Sequence, residues 1–148
     1  MSTTPVALAR ERASIDVPTL AAAVGITEPA CWDLLDQPSE VSMCLTLRQL
    51  AQLASVLAVP PHSLVPDAPS SAQRHRTLSE LADAVRDFCS AHHLSVDQFG
   101  EKAGWDVRRF LEAPDFALDD WCLDSLRGVC HALDLHWPDF LPDATPVV

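Results

Sequence analysis

Along most of the chain, apolar residues recur at intervals of three and four, the spacing that lines one face of a helix. Leu47, Leu50, Leu53 and Ala54 form one such stripe, and Leu123, Leu126, Val129 and Cys130 form another. Helix starts are marked by hydroxyl and carboxylate residues that can accept from an orphan backbone N–H. Thr46 with Gln49, Thr77 with Glu80 and Ser95 with Gln98 have the spacing of capping boxes, while Asp16 and Thr27 suit single N-caps. Gly25 and Gly104 each follow an apolar helix, where a left-handed residue ends it. No stretch alternates with a period of two between hairpin signals, so an all-α fold is expected.

The pattern occurs twice. LAVPPHSLVPDA at 57–68 returns as LDLHWPDFLPDA at 133–144, 76 positions later. At the same offset Leu47 aligns with Leu123, Leu50 with Leu126, Leu53 with Val129 and Pro38 with Pro114. Further upstream the offset becomes 79: VPTLAAAVGI at 17–26 aligns with VDQFGEKAGW at 96–105. Three residues are therefore missing from the second copy between its glycine and its proline. Two tandem helical bundles are expected, 1–67 and 79–148, joined by a Pro/Ser linker at 68–78. Bundles of this size bury little core alone, so contact between the copies is expected too.

Charge narrows the possible partners. The 148 residues carry 10 Lys+Arg and 21 Asp+Glu, a net charge of −11. Nine of the ten cations are arginine, and the excess acid is −3 over residues 1–74 and −8 over 75–148. Sequence-independent binding to phosphates needs the opposite balance. The longest apolar run, near Leu20–Val24, falls far short of the ~20 residues of a membrane helix. The opening MSTTPVALARERAS lacks the basic start and apolar stretch of a secretory signal. Five cysteines without a CxxC spacing do not suggest a disulfide framework. A cytoplasmic location is the expectation.

The order of segments over about residues 6–66 resembles the Cro/repressor-type helix-turn-helix family, also called the xenobiotic-response-element family. The likeness is carried by LeuAlaAlaAlaValGly before a turn, ThrGluProAlaCysTrpAspLeuLeu after it, and a Leu-rich helix ending LeuAlaValProProHisSerLeu. Residues 83–142 carry it more weakly, in HisLeuSerValAspGlnPheGlyGluLysAlaGly and SerLeuArgGlyValCysHisAlaLeuAspLeu. The resemblance implies that the helix after the glycine turn would enter a major groove. Its outward residues would then be Glu28, Pro29, Trp32, Asp33 and Asp36, with Cys31 and Leu34 turned inward. Groove reading draws on Arg, Lys, Asn and Gln, and none of these lies between Thr27 and Asp36. The second copy offers Arg108 and Arg109, together with Lys102, either as DNA contacts or as a solvated face paired with Asp106, Glu112 or Asp115.

Other constellations have plainer explanations. Trp32 reads either as an interface residue or, if its helix is rotated, as core. Phe99 and Phe140, aligned with Leu20 and Leu64, are expected in the core, whereas Trp121 and Trp137 have less clear core partners and are candidates for the contact between copies or for a partner surface. Cys89, His92, His93, Cys122, Cys130, His131 and His136 lack the ligand knuckles of zinc sites and read as small buried hydrophobes plus surface histidines. Asp115, Asp119, Asp120 and Asp124 lack a calcium-loop pattern, so Asp119 or Asp120 is expected to cap the helix carrying Leu123. No nucleophile, phosphate-loop or metalloprotease motif is present, and no cofactor or metal is implied.

The expected function is non-enzymatic regulation through protein contacts, using Glu28, Trp32, Asp33 and Asp36, with a basic protein as the best electrostatic match. DNA is disfavoured by net charge, no membrane partner is expected, and a homodimer stays open. The alternative is a sequence-specific regulator using Lys102, Arg108 and Arg109, its two copies standing in for a repressor dimer.

Overall fold

The computed structural model describes residues 4–66 and 76–142. Among them the fold is all-α, with ten α-helices, three short 3-10 segments and no strand. Residues 4–66 form α1 (Pro5–Ala13), α2 (Val17–Val24), α3 (Glu28–Asp36), α4 (Glu40–Met43), α5 (Leu47–Leu57) and a 3-10 segment at Pro61–Leu64. Residues 76–142 form α6 (Leu78–His92), α7 (Val96–Ala103), α8 (Arg108–Glu112), α9 (Ala117–Asp120) and α10 (Leu123–Ala132), with 3-10 segments at Pro114–Phe116 and Trp137–Phe140.

Local chemistry sets most helix starts. The capping boxes at Thr46, Thr77 and Ser95 are complete, with the side chain of the third helical residue reaching back to the cap N–H. Asp16 accepts from the Thr19 N–H at 2.8 Å and Thr27 from the Ala30 N–H at 3.2 Å. Thr4 has two tasks. Its hydroxyl accepts from Ala7 N–H and donates to the Leu35 carbonyl at 2.8 Å, tying the start of α1 to α3. Gly25 (φ 80°) and Gly104 (φ 76°) end α2 and α7 in the left-handed region.

One expected cap is overturned. Asp119 and Asp120 lie inside α9, and the N-cap of α10 is Cys122, which makes no side-chain cap bond. Asp119 is instead drawn outward by Arg48, whose Nε and Nη2 donate to its two carboxylate oxygens at 2.7 and 3.2 Å. Arg76, Thr77 and Leu78 fall within the expected linker yet belong to the second helical group. Arg76 N–H donates to the Asp139 carbonyl, its guanidinium lies 4.7 Å from the Phe140 ring centroid, and Thr77 caps α6. Residues 68–75, the rest of that linker, lie outside the described residues.

One apolar core runs through both helical groups. Leu20, Leu47, Leu50 and Leu53 are buried in the first; Phe99, Leu123, Leu126 and Phe140 are buried in the second. Trp121 is 1% exposed, its ring 4.4 Å from that of Phe110. The groups meet where α5 packs on α9 and α10 packs on α4. Between them, Thr46 and Cys122 form an isolated antiparallel bridge, and Leu47 N–H donates to the Trp121 carbonyl at 2.9 Å. The expected contact between the two groups is therefore present, with Trp121 at it. Among the described residues, no helix is long and apolar enough to cross a membrane.

Candidate protein-binding face on helix α3

Thr27 and Gly25 fix where α3 begins, and three buried residues fix its rotation. Cys31, Leu34 and Leu35 point into the core, and burial pushes the Cys31 thiol up from its ordinary value. That phase turns Glu28, Pro29, Trp32, Asp33 and Asp36 outward, all exposed. Trp32 is 52% exposed, which overturns the reading of it as a core residue. On a helix Glu28 and Asp36 lie one turn to either side of Trp32, so carboxylates bracket the indole. Among the described residues no Lys or Arg pairs with Glu28, Asp33 or Asp36. α3 packs on α1 and α4, which themselves carry the exposed side chains of Leu8 (41%) and Met43 (57%). These two apolar residues carry no sequence signal of their own; only their helix phase exposes them.

The cations of the second group are turned toward their own chain. Arg108 Nε lies 3.3 Å from Asp97 and 3.5 Å from Asp106. Asp106 also accepts the Arg108 backbone N–H, which holds its carboxyl below the ordinary range. Arg109 lies 3.7 Å from the centroid of Phe116, an exposed ring, and so pairs with an aromatic where Glu112 or Asp115 was expected. Lys102 Nζ lies 4.9 Å from the Phe88 centroid. An open cleft of about 510 Å³ beside Arg108 is lined by Asp97, Glu101, Trp105 and Asp106, which keeps the local surface negative.

The cysteine and histidine positions do not converge. Among the described residues, no three His, Cys, Asp or Glu side chains group as a metal site requires. Cys130 is buried and its thiol is pushed up to about 12. Cys122 Sγ lies 3.3 Å from Ser125 Oγ, and the His92 ring lies 4.2 Å from that of Phe88.

No protein-family model matches this chain, and no curated protein or solved structure matches it either.

Proposed function

We propose that this chain is a non-enzymatic regulator built from two tandem helix-turn-helix-like units of Cro/repressor type, acting mainly through protein–protein contacts. The duplication is supported by backbone conformation as well as by residue type. Six of the described residues have positive φ, and they fall into three pairs: Ser14 with His93, Gly25 with Gly104, and Ala58 with Asp134. The first two pairs are 79 positions apart and the third 76, the offsets at which the sequence aligns with itself. The starts of α2 and α7, and of α5 and α10, obey the same offsets. Larger rings stand at three aligned core positions, Phe99 for Leu20, Trp121 for Leu45 and Phe140 for Leu64, all buried.

One observation carries the functional part of the reading. The helix that would probe a groove presents Trp32 among carboxylates that pair with no Lys or Arg among the described residues, and it offers no donor fit for guanine or adenine edges. Carboxylates there would meet phosphates with like charge. Meanwhile Arg10, Arg48, Arg76, Arg86, Lys102, Arg108, Arg109 and Arg127 all contact groups of their own chain.

A gel-shift series over rising salt tests this. The expected result is no sequence-selective complex with duplex DNA at low salt. A complex that weakens steeply with salt and is lost in Arg108→Ala/Arg109→Ala would favour the alternative, a DNA-binding regulator.

A further inference from the structure

Trp32 has the largest exposed fraction of any tryptophan or phenylalanine among the described residues, and it lacks the cover that several of the other rings have. Phe140, Phe116 and Trp137 each have an arginine guanidinium over them, from Arg76, Arg109 and Arg127 at 4.7, 3.7 and 5.5 Å. Among the described residues the indole of Trp32 has no such cation, and neither do Glu28, Asp33 or Asp36 around it. An aromatic face ringed by acids attracts a cation twice over, through the ring quadrupole and through charge. A guanidinium satisfies both at once, because it lies flat on the ring while its edge donates to a carboxylate. An ammonium is a rounder, more strongly hydrated charge and meets only part of that demand.

We propose that the α3 face binds an arginine-bearing segment of a partner protein, one guanidinium lying on Trp32 and its neighbours pairing with Glu28, Asp33 and Asp36. This deepens the protein-contact reading and rests on it. The net charge of −11 draws a basic segment toward the molecule. Among the described residues, α3 joins the most exposed tryptophan to acids that pair with no Lys or Arg, whereas beside Trp105 the acids Asp97 and Asp106 already hold Arg108.

The test titrates the full chain against a fluorescein-labelled short arginine peptide and a lysine peptide of equal length, followed by anisotropy at low salt. The arginine peptide should bind roughly tenfold more tightly than the lysine peptide, and Trp32→Ala should weaken it roughly tenfold. Glu28→Gln/Asp33→Asn/Asp36→Asn should weaken it more than Asp87→Asn/Glu101→Gln/Glu112→Gln, which removes the same charge elsewhere. Circular dichroism of each variant confirms that the helices are intact. No binding by the wild-type chain, equal losses in both charge variants, or an unchanged Trp32→Ala would each overturn the α3 assignment. Those results leave the broader protein-contact reading standing, on another face. That reading instead fails on a salt-sensitive, sequence-selective complex with duplex DNA, whatever the peptides do.

Discussion

Thr46 and Cys122, the N-cap residues of α5 and α10, pair with each other across an antiparallel bridge. The two helix starts that open the Leu-rich stripes thus meet at the seam between the helical groups. Only one of them is well capped. Thr46 accepts from the Gln49 N–H at 3.1 Å, whereas Cys122 offers a sulfur, a poor acceptor, and makes no cap bond. Cys122→Ser supplies the missing oxygen on an extended backbone already suited to it. We expect a gain of about 1 kcal/mol in urea unfolding, and a loss of similar size for Thr46→Ala. A Cys122→Ser chain no more stable than wild type would mean that the seam, not the cap, governs this position.

Close approach between α7 and α10 depends on a missing side chain. A Cβ placed on Gly128 would stand 2.7 Å from the Ala103 carbonyl oxygen, which is backbone and cannot swing aside. Gly128→Ala should therefore cost about 1–3 kcal/mol in chemical denaturation. Gly104→Ala meets no neighbour, so its cost should come from the left-handed backbone alone, about 1 kcal/mol. Equal stability of Gly128→Ala and wild type would refute the close packing.

Two tryptophans should behave oppositely. Trp121 fills the core beside Phe110, and Trp121→Ala should lose about 3–5 kcal/mol or fail to fold. Trp32→Ala should stay within about 0.5 kcal/mol of wild type in the same unfolding assay, since its indole is largely in solvent. A large loss at Trp32 would show that it packs inward.

The Arg48 guanidinium holds the Asp119 carboxyl below its ordinary range. A depressed acid favours the folded state at pH values above the unfolded value of about 4, and that contribution is lost as pH falls through the folded one. Comparing unfolding of wild type and Arg48→Ala across pH should show a gap at neutral pH that closes in acid. The gap should also shrink with salt, because the pair is exposed. A gap that persists below both values would assign the effect to lost packing of the arginine stem.

Thiol reactivity separates the cysteines. Cys44 is exposed, yet its hydrogen bond to the Glu40 carboxylate pushes it up to about 11, because a thiolate there would face a second negative charge. Glu40→Gln should speed its reaction with an aromatic disulfide reagent near pH 8 by at least about tenfold, since the thiolate is the reacting species. Cys130 should stay silent until the protein unfolds. An unchanged Cys44 rate in Glu40→Gln would remove the carboxylate as the cause.

Much of the fold was legible because its signals are local. Capping residues at Asp16, Thr27, Thr46, Thr77 and Ser95 act within one helical turn, and the glycines at 25 and 104 act within one residue. The outward set on α3 was equally readable, since burying Cys31 and Leu34 on a 3.6-residue period leaves Glu28, Trp32, Asp33 and Asp36 on the other side. The misplaced cap at Asp119 shows where such reasoning ends. Its partner Arg48 stands 71 positions away, and no spacing rule joins them.

The amino-acid order alone thus prescribes helices, their starts and stops, and which side of each is greasy, because those depend on near neighbours in the chain. How α5 comes to lie on α9 and α10 on α4, and why Trp121 is sealed while Trp32 is bare, follows from how two helical groups settle against one another. That choice rests on summed packing between distant residues, a property of shape that no short pattern encodes.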